Sequence, residues 1–261
     1  MVGDKTVDKI NRRPNIVLVL GSAPQATETQ NWPRDPFSKI VAINNSWRVR
    51  PDWDYLIHPE DFDADRCPDT VTPGQQIIEA AAYVPAQNQY GGFVYAGGTM
   101  AFTAGYWALA ALKPDVIAFF GCDMVYPTET KTHFYGTGAP DPLRADISLR
   151  NLEAKSARMM LMGARDGCAM VNLSTNPSRL ILPTARATAL TALSLSQPFV
   201  DLAAIAELEA EEARIGYVVP SGRYWQVEDQ FDPQIIDALD ARWLAAAGDA
   251  TAQARAISRA G

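Results

Sequence analysis

The stretch GCDMVYPTETKTHFYG at 121–136 gathers Asp123, Tyr126, Lys131 and His133, the last being one of only two histidines in 261 residues. An imidazole that is neutral near pH 7 takes a proton from a hydroxyl, so His133 is the candidate general base for transfer of a group onto that hydroxyl. Lys131 and Tyr126, with Tyr135 and Arg144 nearby, could neutralise a leaving phosphate, although each taken alone reads rather as a solvated or packed side chain. Asp123 follows an apolar run and a glycine and reads as a polar ligand contact or a metal-binding carboxylate; with no second ligand beside it, the former is favoured. His58, followed by a proline, reads as structural.

Three further sites are marked by small and polar residues. GSAPQATE places Gly21, Ser22 and Pro24 where backbone N–H groups of a turn or helix could hold a phosphate, but it has neither the full G-x-G-x-x-G nor a P-loop, so a plain strand-to-loop turn stays open. Asn44 and Asn45 carry both donors and acceptors, suited to a base or a sugar hydroxyl, or else to bonding their own turn. AGGT sets Gly98 and Thr99 at an expected helix start, where free N–H groups favour a negative group; tight strand–helix packing would demand the same glycines.

The elements that must position these groups are set by hydrophobic patterning. NIVLVLG at 15–21 is a continuous β-branched run ended by glycine, as in a strand buried on both faces. Residues 40–43, 55–57 and 116–121 repeat the pattern and each ends in polar residues. The run at 97–112 is apolar nearly all round and predicts a buried helix; 148–166 predicts another, and CAMVNLS one more strand. Alternating strands and helices predict an α/β, Rossmann-like fold with a mainly parallel sheet, in which strand ends converge on one crevice. After about residue 195 the sequence turns Ala- and Glu-rich, so the expected organisation is a nucleotide-binding domain at 1–194 and a helical appendage at 195–261. YVVPSGRYWQV, between the two appended helices, reads as a hairpin or a loop.

The formal charge of −7 argues against a nucleic-acid partner, which needs a concentrated basic face. Cys67, Cys122 and Cys168 are odd in number and widely spaced, as buried reduced thiols would be, and no metal site is indicated. With no apolar run long enough for a membrane span and no leader pattern, a cytoplasmic protein is expected.

Taken in order, VLVLGSAPQ, IVAINNSW, YLIHPEDF, AGGTMAFTAGYWAL, VIAFFGCDMVY, THFYG and MVNLSTNPSRL resemble the bacterial sialyltransferases of glycosyltransferase family 42 over about residues 16–182. They are also similar to the wider DUF115 group, which includes 6-hydroxymethylpterin diphosphokinase. No single motif is specific; their order and spacing carry the resemblance. It implies a CMP-activated sugar donor, a hydroxyl-bearing acceptor, no required metal, and inversion with a histidine base and tyrosines on the leaving phosphate. By it, Gly21, Ser22 and Pro24 match the loop under the nucleotide, Asn44 the donor-contacting asparagine, Gly98 and Thr99 the small-residue loop, Asp123 the acid of the Gly-x-Asp step, and Asn176 the loop near the nucleotide. Three positions depart from the family pattern: Thr137 stands at the second, catalytic histidine, with His133 on the first; an arginine is missing near Tyr95; and Lys131 is nearest to the second phosphate-binding tyrosine. The DUF115 likeness implies instead Mg²⁺ and ATP with Asp123 on the metal. A nucleotide-binding protein without catalysis is the third reading, and a homo-oligomer built on the C-terminal helices is left open.

Overall fold

The computed structural model describes residues 12–126, 131–137, 144–195 and 200–260. Six strands form one parallel sheet: β1 (Ile16–Leu20), β2 (Lys39–Ile43), β3 (Tyr55–Ile57), β4 (Gln76–Ile78), β5 (Val116–Phe120) and β6 (Ala169–Asn172), in the order 4-3-2-1-5-6. β1 lies in register between β2 (Leu18 opposite Ile40) and β5 (Leu18 opposite Ala118). The expected α/β, Rossmann-like fold is therefore present, with the chain stepping outward from β1 to β4 before returning to β5 on the other side of β1. That reversal makes the β1/β5 boundary the topological switch point, outside whose carboxyl edge such sheets hold ligands.

Period-two alternation divides the strands between two cores. Ile16, Leu18 and Leu20 of β1 join Ile40, Ala42, Val116 and Phe120 on one face. Val17 and Val19 join Val41, Ile117 and Phe119 on the other, under the helices. Both faces of β1 are closed to solvent, which is why its sequence is apolar without interruption. At roughly 1.5–3 kcal/mol per fully buried aliphatic side chain, the side chains of this central strand contribute on the order of 10 kcal/mol of the driving force.

The helices are α1 (Ala80–Asn88), α2 (Phe93–Ala96), α3 (Met100–Leu112), α4 (Leu152–Arg165), α5 (Leu190–Leu195), α6 (Leu202–Ile215) and α7 (Pro233–Ala260). α3 is the expected buried helix, starting three residues later than the apolar pattern because Gly97 (φ 93°) and Gly98 precede its N-cap, Thr99. α4 starts at the Asn151 cap, after a 3₁₀ turn at Ile147–Leu149.

The C-terminal helices share the core of the sheet. Ile236, Leu239 and Trp243 of α7 belong to the same buried cluster as Val17 and Phe119. Two buried ion pairs reinforce the junction: Lys155 to Asp240 at 2.8 Å, and Arg158 to Glu212 through two bonds of 2.7 Å. Glu212 also accepts from Trp243 Nε1 at 2.9 Å, so α4, α6 and α7 meet on one carboxylate. YVVPSGRYWQV is a loop with a 3₁₀ turn at Tyr224–Gln226, and no strand forms there.

Candidate functional site

The predicted groups gather at the carboxyl edge of β2, β1 and β5. Ser46 fixes the first two: its hydroxyl accepts from Ile43 N at 2.8 Å and donates to the Leu20 carbonyl at 2.6 Å, tying the end of β2 to the end of β1. Asn44 sits in the turn so formed with φ 51°, in the left-handed region. Asparagine tolerates that conformation better than most residues. Its carboxamide oxygen is buried without a hydrogen-bond partner among the described residues.

At the switch point the two glycines meet. A Cβ on Gly21 would collide with the Gly121 carbonyl oxygen, and Gly121 itself has φ 71°. Close backbone approach therefore explains both glycines before any ligand is invoked. Gly21 and Ser22 lead into a 3₁₀ helix, Pro24–Asn31, with exposed Pro24 at its first turn, so the turn or helix expected after the first strand of GSAPQATE is of the 3₁₀ kind.

Asp123 is buried, and its carboxylate accepts three side-chain donors: Gln25 Nε2, Asn172 Nδ2 at 3.2 Å and Ser174 Oγ at 3.0 Å. It joins the ends of β5 and β6 to the loop after β1. Ser174 in turn accepts from the backbone of Asn176, whose exposed side chain is thereby brought to the same edge. Next to Asp123, Met124 holds φ 53°, a costly conformation for an unbranched apolar residue. The Met124 sulfur lies 3.8 Å from Thr99 Oγ1, which also caps α3 by accepting from Phe102 N. Thr99 thus links the β5 end to the helix start, with its hydroxyl engaged in the cap.

His133 opens a tight turn closed by two bonds with Gly136, His133 N to Gly136 O at 3.0 Å and the reverse at 3.1 Å. Phe134 anchors this turn, donating its N–H to Ser22 O at 3.1 Å and packing its ring against the core. The imidazole stacks on Tyr135 (centroids 5.0 Å apart) and lies 5.9 Å from Tyr126. Its Nδ1 is 2.9 Å from Thr132 Oγ1. Partial burial pushes its pKa below the usual histidine value, which favours the neutral ring. When Nδ1–H donates to Thr132, Nε2 is left as the proton acceptor. Lys131 is exposed and makes no ion pair with a described residue, and Thr137 is exposed as well. Part of the stretch that carries these groups, 127–130, lies outside the described residues.

A cavity of about 950 Å³ adjoins this edge, lined among others by Gly98, Met100, Arg144, Asp146, Tyr224 and Trp225. Of the predicted donor-binding residues only Gly98 lines it. Its floor is a polar cluster. Asp146 accepts from Ser148 N and Oγ at 2.7 and 2.6 Å and from Tyr224 Oη at 2.8 Å, while Arg144 reaches Asp146 and Tyr224 at 3.1 and 3.2 Å. Gly98 is pressed against this cluster: a Cβ there would lie 2.5 Å from Ser148 Oγ and 2.7 Å from Tyr224 Oη. Burial pushes the Tyr224 phenol up to about 12.

Sequence reasoning singles out Arg144 but misses Ser46, Gln25, Asn172, Asp146, Ser148 and Tyr224. The Asp146-x-Ser148 spacing, an Asx turn, could have been read locally; the bonds by which Ser46, Gln25, Asn172 and Tyr224 tie the strand ends and the cavity together run between residues distant in sequence. His58 hydrogen-bonds its neighbours, with Nδ1 2.9 Å from Pro59 O and Nε2 3.7 Å from Cys67 Sγ. Cys122 and Cys168 are buried and Cys67 is half-buried, and none of the three is in a disulfide. Among the described residues no three His, Cys, Asp or Glu side chains group as a metal site, and no helix is long and apolar enough to cross a membrane. Compared with protein-family models, curated proteins and solved structures, the chain matches none.

Proposed function

We propose that the chain is a glycosyltransferase-type enzyme that binds a nucleotide-activated sugar, of the CMP-sialic acid kind by resemblance, and transfers the sugar to an acceptor hydroxyl. The observation that carries this reading is Asn44. A buried carbonyl oxygen without a partner costs about 1–3 kcal/mol, and here it sits in a left-handed turn at a strand end beside the switch point. With the carboxamide turned out of the fold, a ligand donor such as a sugar hydroxyl or a base amino group would supply the partner that this oxygen lacks.

In this reading Nε2 of His133 takes the acceptor hydroxyl's proton as that oxygen attacks the anomeric carbon from the face opposite the phosphate. The bond from that carbon to the phosphate oxygen breaks, and the electron pair leaves with the nucleotide, whose charge Lys131 and Tyr126 offset. The neutral ring favoured by partial burial suits the base.

The Mg²⁺–ATP alternative needs Asp123 on a cation. Its carboxylate instead faces three donors, an N–H from Gln25, an N–H from Asn172 and a hydroxyl from Ser174, all of which would have to turn away. That donor set does not fit a metal ligand.

The test measures CMP released from CMP-sialic acid in the presence of saccharide acceptors. His133→Ala should lower turnover by about 10²-fold or more while leaving nucleotide binding intact. Unchanged turnover in the variant would refute His133 as base, and nucleotide binding without turnover in the parent would make the chain a non-catalytic binder.

A further inference from the structure

The far wall of the 950 Å³ cavity comes from the C-terminal region, through Gly222, Arg223, Tyr224, Trp225 and Gln226. We infer that this cavity is a binding compartment for a neutral, hydroxyl-rich ring of the saccharide class, with Trp225 as its platform. Under the function proposed above, on which this assignment of role rests, the compartment seats the acceptor.

Charge is the first argument. Arg223 lies 3.6 Å from Glu60, and Arg144 bonds Asp146 and Tyr224, so each guanidinium already faces an acid or a phenol. Asp61 also lines the cavity and makes no ion pair with a described residue. The unbalanced charge is therefore negative. A phosphate or carboxylate is repelled there, whereas hydroxyls donate to Glu60 and Asp61 without that penalty.

Shape is the second. Of six tryptophans Trp225 alone is exposed, at 56%, and it stands edge-on to Tyr224 with ring centroids 5.5 Å apart. Tyr224 is itself held by Asp146 and Ser148, so the indole rests on a fixed support. A flat apolar face beside carboxylates matches a sugar ring, which has a C–H face and a rim of hydroxyls. Pro85, inside α1, lacks the N–H that would bond the Ala81 carbonyl; both residues line the cavity. The volume is at the upper end of the range for small-molecule sites, about 300–1,000 Å³, which accommodates more than one ring.

Position is the third. Gly98 belongs both to this cavity and to the AGGT segment, whose Thr99 touches Met124 beside Asp123. The cavity is thus joined to the β5 end through residues 98–99 and Met124.

The test titrates the full chain with the methyl glycosides of galactose, glucose and N-acetylglucosamine, monitored by tryptophan emission and saturation-transfer NMR, with thermal unfolding in CMP as a separate arm. At least one glycoside should give a saturable change that Trp225→Ala weakens about tenfold or more and Trp225→Phe partly restores. The CMP response should be the same in all three proteins. Because Trp225 is exposed, the variants should keep the parent's circular dichroism. A saccharide response that Trp225→Ala leaves unchanged, or none at all from the parent, overturns the inference. CMP stabilisation without a saccharide response removes the compartment and leaves the nucleotide reading standing; a saccharide response without CMP stabilisation does the reverse.

Discussion

Replacing Asp123 separates a strand-end ligand contact from a structural hub. In Asp123→Ala the N–H of Asn172 and the hydroxyl of Ser174, both on residues only 3% exposed, lose their acceptor, and Gln25 loses a third bond nearer solvent. A buried donor left unpaired costs about 1–3 kcal/mol. With water reaching Gln25, the loss is roughly 3–5 kcal/mol. For a chain of this length, about 2–4 °C per kcal/mol converts this to a Tm lower by roughly 10 °C. Asp123→Asn sharpens the test. Its single carbonyl oxygen can face either Asn172 or the Gln25 and Ser174 pair, and Asn172 cannot turn over freely because its own Oδ1 accepts from Ser174 N at 3.0 Å. One donor then faces an N–H₂ group, and about half the loss of the alanine variant is expected. Thermal unfolding by circular dichroism reads both values. A Tm within about 2 °C of the parent in Asp123→Ala, with loss of nucleotide binding, would show that the carboxylate serves a ligand and not the fold.

Other outcomes rest on the same kind of contact. Glu212→Ala strands the Arg158 guanidinium and the Trp243 indole N–H in the core, so it should cost about 3–5 kcal/mol; Arg158→Met with Glu212→Leu should recover part of it, since the buried charge is gone while the Trp243 N–H stays unpaired, as read by urea unfolding. Single-variant stability equal to the parent's would mean that α4, α6 and α7 are not held together through this carboxylate. Because burial lowers the His133 pKa, the folded state holds fewer protons there than the unfolded state. The neutral ring's advantage is present above the ordinary value of 6.5 and lost as pH falls below it. Turnover should accordingly persist at pH 6.5 and decline on an acid limb below it, and a limb centred above 6.5 would contradict the assigned environment.

How far the sequence reveals this protein depends on the range of the interaction. β1, β2, β5 and β6 are legible because burial on both faces writes continuous apolar runs. β4 is not, since it has three residues at the sheet edge with Gln76 exposed and Ile77 half-buried. α1 is hidden by Pro85 in its interior. The boundary placed at 194/195 reflects composition, whereas the contacts cross it: Lys155 and Arg158 are charged residues on a helix read as apolar-faced, and their partners lie 54–85 residues further on. At the site, the positions of polar groups at strand ends are legible from topology. Their engagement is not, because whether Asp123 or Thr99 is free for a ligand depends on Gln25, Asn172 and the α3 N-cap.

Whether the edge beside Asn44 binds a nucleotide-activated sugar without a metal is decided by thermal unfolding in CMP with divalent ions chelated. Asn44→Gly is the informative variant, since glycine accepts φ 51° and removes the unpaired oxygen together with the side chain. Its Tm without ligand should equal or exceed the parent's. The parent's Tm should rise with CMP concentration as linkage requires, and the Asn44→Gly protein should lose that rise. A parent that does not respond to CMP, or responds only to ATP with Mg²⁺, or a variant that responds as strongly as the parent, would contradict the proposal.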